Sequence, residues 1–188
     1  MSRSSKGKCA KKSFYIITEG KTEEIYFSEF RKKYRCNAIT IKRIKPCSRQ
    51  IISRAKSVWR NEGFSSSNYN KQVIVIDKDA LSEDDFDTIL KQAVDSKIDV
   101  VFSNSAFEVW LLAHFELITN RVLSVNELKN RLSSYLRGEY KKTDTGQLRK
   151  IVEHFDQAVE NTKDVCEVSY HTQCTNVGEL CQSLRDGM

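Results

Sequence analysis

Apolar residues along this chain fall into two patterns: short unbroken runs in the first hundred residues, and helical spacing between and after them. Ser13–Thr18 (SFYIIT), the Val73–Ile76 run within Gln72–Ala80 (QVIVIDKDA) and Asp99–Phe102 (DVVF) are continuous and mostly β-branched or aromatic. Such runs predict strands buried on both faces, the kind found in parallel sheets. Asn37–Ile44 alternates from Ala38 onward, which predicts a strand with one wetter face, nearer a sheet edge. Between these runs the apolar spacing turns helical. Thr22 caps a helix reaching about Tyr34, Ser48 caps one reaching Arg60, and Ser82–Asp95 forms a third. The segment from Ala106 through Phe115 is apolar nearly all round and should be a buried helix. After Asn120 only helices are expected: Ser124–Leu136, opened by a Ser124/Glu127 capping box, then Thr145–Val159 and Thr175–Leu184. Residues 61–70 and Gly138–Asp144 read as polar connectors.

Strands alternating with helices predict an α/β fold: a four-stranded, mainly parallel, Rossmann-like sheet flanked by helices. The expected organisation is a basic flexible tail over residues 1–12, a sheet domain over 13–118, and a helical extension over 119–188 packed on it. One proline and seven glycines in 188 residues argue against a many-turned all-β fold.

Charge sharpens the picture because it is uneven. Residues 1–60 hold 17 Lys or Arg against 4 Asp or Glu, whereas residues 61–188 hold 14 against 21. A basic front half beside acidic clusters suits an anionic partner such as the phosphate backbone of nucleic acid, although a solvated basic face gives the same count. The six cysteines show no C-x-x-C and no zinc spacing, so reduced thiols are expected. No apolar signal segment precedes Phe14 and no run reaches membrane-span length, so a cytoplasmic protein without membrane contact is expected.

The candidate chemistry lies at strand ends. Ligands of parallel α/β sheets bind outside the carboxyl ends of the strands. Glu19 follows the first strand, and Asp77 and Asp79 follow the Val73–Ile76 run. At a spacing of two in extended chain, both aspartates face the same side, while Lys78 faces away. Carboxylates held together repel unless a cation or proton sits between them, and hard oxygen donors favour Mg²⁺ or Mn²⁺. Glu108, in the first turn of the buried helix, needs a partner that a metal or a base would supply. Taken singly, Asp77 could be a cap and Glu19 a turn residue. Glu83, Asp84 and Asp85 read as first-turn charges favoured by the helix dipole, His114 as a hydrogen-bonded core histidine, and Trp110, Phe14, Tyr15, Tyr26 and Phe27 as packing.

A glutamate after the first strand plus D-x-D after a later one resembles the Toprim pattern. YIITEGKTEEIYF (Tyr15–Phe27), VIDKDALSEDDF (Val75–Phe86), SNSAFEVWLLAHFE (Ser103–Glu116), GEYKKTD (Gly138–Asp144) and TNVGEL (Thr175–Leu180) together resemble the RloB-like family. One departure is visible: Ser105 and Ala106 stand where that family usually has proline and a small residue. The resemblance implies a Toprim-type, Mg²⁺- or Mn²⁺-dependent nuclease module acting in antiviral, abortive-infection defence, often with an ATPase encoded nearby. A catalytically inactive binding module is the alternative, and a homo-oligomer is possible under either. Metal ligands would come from Glu19, Asp77, Asp79 and Glu108, with Glu19 alternatively the general base. The tyrosine–lysine segment implies a phosphate-neutralising lysine, Lys141 or its neighbour Lys142, and Lys141 enters the expected catalytic set.

Overall fold

The computed structural model describes residues 12–65, 67, 70–79 and 81–187. The basic tail, apart from Lys12, lies outside the described residues, as do Cys9 and Ala80. Five strands, β1 (Ser13–Thr18), β2 (Ile39–Arg43), β3 (Asn70–Asp77), β4 (Asp99–Asn104) and β5 (Cys174–Thr175), form one sheet in the order β2-β1-β3-β4-β5. The first four run parallel, and β5 pairs antiparallel with β4 through Ser103 and Asn104. The sheet therefore has five strands, not the expected four. The fifth adds only two residues, too few to show any alternation in sequence.

The unbroken apolar runs have a direct explanation. Successive residues of a strand point to opposite faces. Phe14, Ile16, Val73, Val75 and Val101 enter one buried cluster, and Tyr15, Ile17, Ile74, Ile76 and Phe102 enter another. Both faces are covered, so neither position in the alternation can be polar. Helices α2 (Ile51–Asn61) and α3 (Glu83–Ser96) cover the second face through Ile51, Ala55, Trp59, Phe86, Ile89 and Ala93. Helices α1 (Lys21–Tyr34), α4 (Glu108–Ala113), α5 (Val125–Tyr135), α6 (Thr145–Val152), α7 (Phe155–Thr162) and α8 (Val177–Asp186) all contribute to the first. One continuous core thus spans residues before and after position 118. β2, the alternating strand, is the edge, and among the described residues it pairs only with β1.

Local signals mostly act as expected. Ser82 Oγ accepts the Asp85 amide N–H at 3.2 Å, and Ser124 and Glu127 form the capping box. Three expectations are corrected. Thr22 does not cap α1; Gly20 occupies that position, and the Thr22 hydroxyl donates to the Lys142 carbonyl at 2.9 Å. Ser48 opens a 3-10 turn (Ser48–Gln50) with φ of 45° and makes no side-chain cap. The expected helix over Thr145–Val159 is two helices, broken at Glu153–His154, which lets Phe155 turn inward against Phe30 at a ring distance of 5.0 Å. The Asn104–Ser105 peptide, where the family resemblance departs, is cis. No described helix is long and apolar enough to cross a membrane. Among the described residues Cys36, Cys47, Cys166, Cys174 and Cys181 are free thiols.

His114 is the core histidine expected from sequence. Its Nδ1 lies 2.9 Å from the Trp110 carbonyl and its Nε2 3.1 Å from the Tyr26 hydroxyl. Neutral imidazole satisfies both: Nδ1–H donates and Nε2 accepts. Burial, the dominant cause, lowers the pKa from 6.5 to about 3. A depressed histidine pKa means the unfolded chain takes up a proton that the folded chain refuses, so stability is lost as pH falls below 6.5. His114→Gln is therefore expected to flatten the wild-type slope of stability against pH between about 4 and 6 by about 1.4 kcal/mol per pH unit. Urea unfolding at several pH values would check it, and parallel slopes would contradict it.

Candidate metal and catalytic site

The carboxyl ends of the four parallel strands share one rim, and a cleft of about 320 Å³ opens there. Glu19, Asp77, Asp79 and Glu108 all line it, although they come from four separate places on three strand–helix junctions. β1 delivers Glu19 one residue past its end, β3 ends on Asp77, and the turn after it carries Asp79. Glu108 begins α4 at the mouth of β4. Glu23, in the first turn of α1, lines the same cleft. Sequence reasoning missed it because an acid in a first helical turn is satisfied by the dipole alone. The signal was its place in the first turn of the helix that follows Glu19, at the same strand end.

Gly20 makes room for Glu23. A Cβ added there would lie 2.0 Å from Glu23 Oε2, so only glycine leaves that carboxylate its present place over the chain. Glu19 is oriented from the opposite wall, where its Oε1 accepts the Cys47 amide N–H at 2.6 Å.

Electrostatics mark Asp77 as the strained member. Burial raises its pKa from 3.8 to about 7, and the nearby charges of Glu23, Asp79 and Glu108 add to the rise. Burial also raises the pKa of Glu23, opposed by its own amide, with Glu108 and Glu19 contributing further. Like charges are gathered here faster than the protein compensates them.

The compensation that exists comes from the Gly138–Asp144 connector. Glu108 is 1% exposed, yet its Oε1 receives Lys142 Nζ at 3.2 Å and the Tyr140 hydroxyl at 3.4 Å. Burial pulls the Lys142 pKa down, but Glu108, and then Asp77 and Asp79, outweigh it and leave it raised. The Thr22 bond to the Lys142 carbonyl ties the connector to α1. Lys142 is therefore the lysine paired with an acid of the cleft; Lys21, which adjoins Glu19 in sequence, also lines it, but its Nζ pairs with Glu24 at 2.8 Å. Lys141, the lysine in the expected catalytic set, is exposed and does not line it; its amide N–H donates to Gln147 instead. Lys142 sits inside a turn closed by the Asp144 amide donating to the Lys141 carbonyl at 3.0 Å, and nothing in sequence says which of the two lysines that turn aims at the cleft. Lys78 points away, as expected, with Nζ on the Tyr170 carbonyl at 2.7 Å and 4.0 Å from that ring's centre.

The donor chemistry suits a hard divalent cation: every candidate ligand is a carboxylate, and together they carry more negative charge than Lys142 neutralises. The side chains have not closed into a coordination shell. Among the described residues no group of three or more His, Cys, Asp or Glu side chains is arranged to hold a metal ion. Lys142 Nζ lies on Glu108 Oε1, so a cation using that oxygen would displace it.

No curated protein and no solved structure matches the chain. The family described as RloB-like protein matches residues 14–184, from the first strand through the last helix. With most of its length covered, the chain belongs to the RloB-like family.

Proposed function

We propose that this chain is a divalent-metal-dependent phosphodiesterase of the Toprim type, cutting nucleic acid in cytoplasmic antiviral or abortive-infection defence, with a neighbouring ATPase as partner. The observation that carries the reading is the shared cleft of Glu19, Asp77, Asp79 and Glu108 at the carboxyl rim of a parallel sheet. The strand order, with a glutamate after β1 and D-x-D after β3, supports the Toprim comparison.

Asp77, Asp79 and Glu108 would hold Mg²⁺ or Mn²⁺. The bound ion would polarise a phosphoryl oxygen and stabilise the leaving oxyanion. Glu19, fixed by the Cys47 amide, is placed either to complete the ligand set or to take a proton from the attacking water. Lys142, now on Glu108, would neutralise charge developing on the phosphate. Glu23, in the same cleft with burial raising its pKa, is the candidate donor of a proton to the leaving group.

One observation favours a second reading, a module that binds nucleic acid or an ATPase without cutting. Lys142 already occupies Glu108, and no described group is arranged for a metal. Incubation with Mg²⁺ or Mn²⁺ and mixed DNA, RNA and tRNA separates the two. The phosphodiesterase reading expects cleavage that EDTA stops and that Asp77→Ala and Glu19→Ala abolish. Binding that survives both substitutions with no cleavage by the wild type would favour the module, and normal cleavage by both variants would remove this site assignment.

A further inference from the structure

A cleft lined by carboxylates repels the polyanion it is proposed to cut. Even with a divalent cation bound, attraction for a nucleic-acid strand must come from cations outside the cleft. One such set lies beside the cleft where β2 ends. β2 ends at Arg43 in register with Thr18, and the Ile44 amide continues that pairing by donating to the Thr18 carbonyl at 2.9 Å. The chain then turns over the cleft: Pro46 and Ser48 line it, and the Cys47 amide is anchored on Glu19.

Lys45, Arg49 and Arg54 project from this turn and the helix that follows, all exposed, and none has an anionic partner among the described residues. Their neighbours are engaged: Lys42 pairs with Glu62, and Arg43 with Glu24 at 3.4 Å. Arg54 lies near enough to Cys47 for its charge to act there. Its charge is thus felt at the residue that touches the cleft wall.

We propose that Lys45, Arg49 and Arg54 seat the sugar–phosphate backbone of a nucleic-acid strand whose neighbouring phosphates run into the acidic cleft. The strip rests on the phosphodiesterase reading for its orientation and selects polymeric phosphodiesters over small phosphate esters, which cannot span cleft and strip together.

Binding is measured by fluorescence anisotropy with the full chain in EDTA, so that no cleavage can intervene. The probes are two fluorescein-labelled, mixed-sequence oligonucleotides, one duplex DNA and one single-stranded RNA. For the triple variant K45A/R49A/R54A the expected result is an affinity at least about tenfold weaker at low salt, and a slope of log affinity against log salt reduced by about 2–3. Each single alanine variant should lower the slope by roughly one, which guards against a folding defect in the triple variant. The control K91A/K129A/K150A removes three cations from α3, α5 and α6 and should stay within about twofold of wild type. Equal losses in the two triple variants, an unchanged salt slope, or no binding of either probe by the wild type would overturn the proposal. Strip-dependent binding of one probe alone upholds it and identifies the strand type. Strip-dependent binding by a protein that cuts nothing with Mg²⁺ or Mn²⁺ upholds the seat and removes the catalytic reading.

Discussion

Asp77→Asn is expected to lower metal-dependent cleavage by about a thousandfold while making the metal-free protein more stable at neutral pH. The two effects share a cause. Asp77 sits half-buried at the end of β3, where burial and then the charges of Glu23, Asp79 and Glu108 raise its pKa to about 7. An acid with a raised folded pKa binds its proton more tightly in the folded chain. Its favourable contribution is full below its unfolded value of 3.8 and is lost as pH rises through about 7. The amide keeps the shape and removes the charge, so the stability advantage of the variant should grow from pH 5 to pH 8. Added Mg²⁺ should raise the melting temperature of the wild type and leave the variant unmoved, since a ligand stabilises only the state that binds it. Melting curves with and without Mg²⁺ at several pH values check all of this. A variant less stable than wild type at pH 8 without metal would show that the carboxylates do not repel as described.

Lys142→Ala is expected to separate structure from chemistry at the connector. Removing the ammonium leaves Glu108, 1% exposed, with only the Tyr140 hydroxyl at 3.4 Å. Breaking a buried pair costs about 3–5 kcal/mol, and less here because the Lys142 side chain is 48% exposed and water screens it. A divalent cation can take over the charge balance, so Mg²⁺ should restore much of the lost melting temperature. It cannot replace a cation aimed at the substrate, so cleavage should remain down by about a hundredfold. Lys141→Ala is the matched comparison. Its side chain does not line the cleft, so stability and turnover should both stay near wild type. Equal effects of the two substitutions would mean that the connector contributes only general positive charge.

The fold was legible where the physics is local. β1, β3 and β4 are covered on both faces, so their apolar runs carry no polar interruption, and the Ser82 and Ser124 caps act within a single turn. The remainder depends on partners distant in sequence. β5 exists because Cys174 and Thr175 meet β4, seventy residues earlier, and two residues carry no period. The break at His154 has no proline or glycine to announce it. Thr22 is a good capping residue whose hydroxyl is instead drawn to the Lys142 carbonyl, 120 residues away.

The candidate site divides in the same way. Glu19, Asp77, Asp79 and Glu108 could be named because strand ends of a parallel sheet share a rim. Glu23 was hidden by an ordinary helical explanation, and the choice between Lys141 and Lys142 was set by which side of the connector faces α4. The family match over residues 14–184 agrees with the likeness read from the segments around these acids.

The central claim is that Asp77, Asp79 and Glu108 close on one divalent cation. Crystals of the full chain grown with Mn²⁺ and measured for its anomalous scattering test it most directly. The account predicts a peak within bonding distance of oxygens from all three residues, about 2.2 Å away, with Lys142 displaced from Glu108. A cleft that holds no manganese at saturating concentration, with the Lys142–Glu108 pair intact, would contradict it.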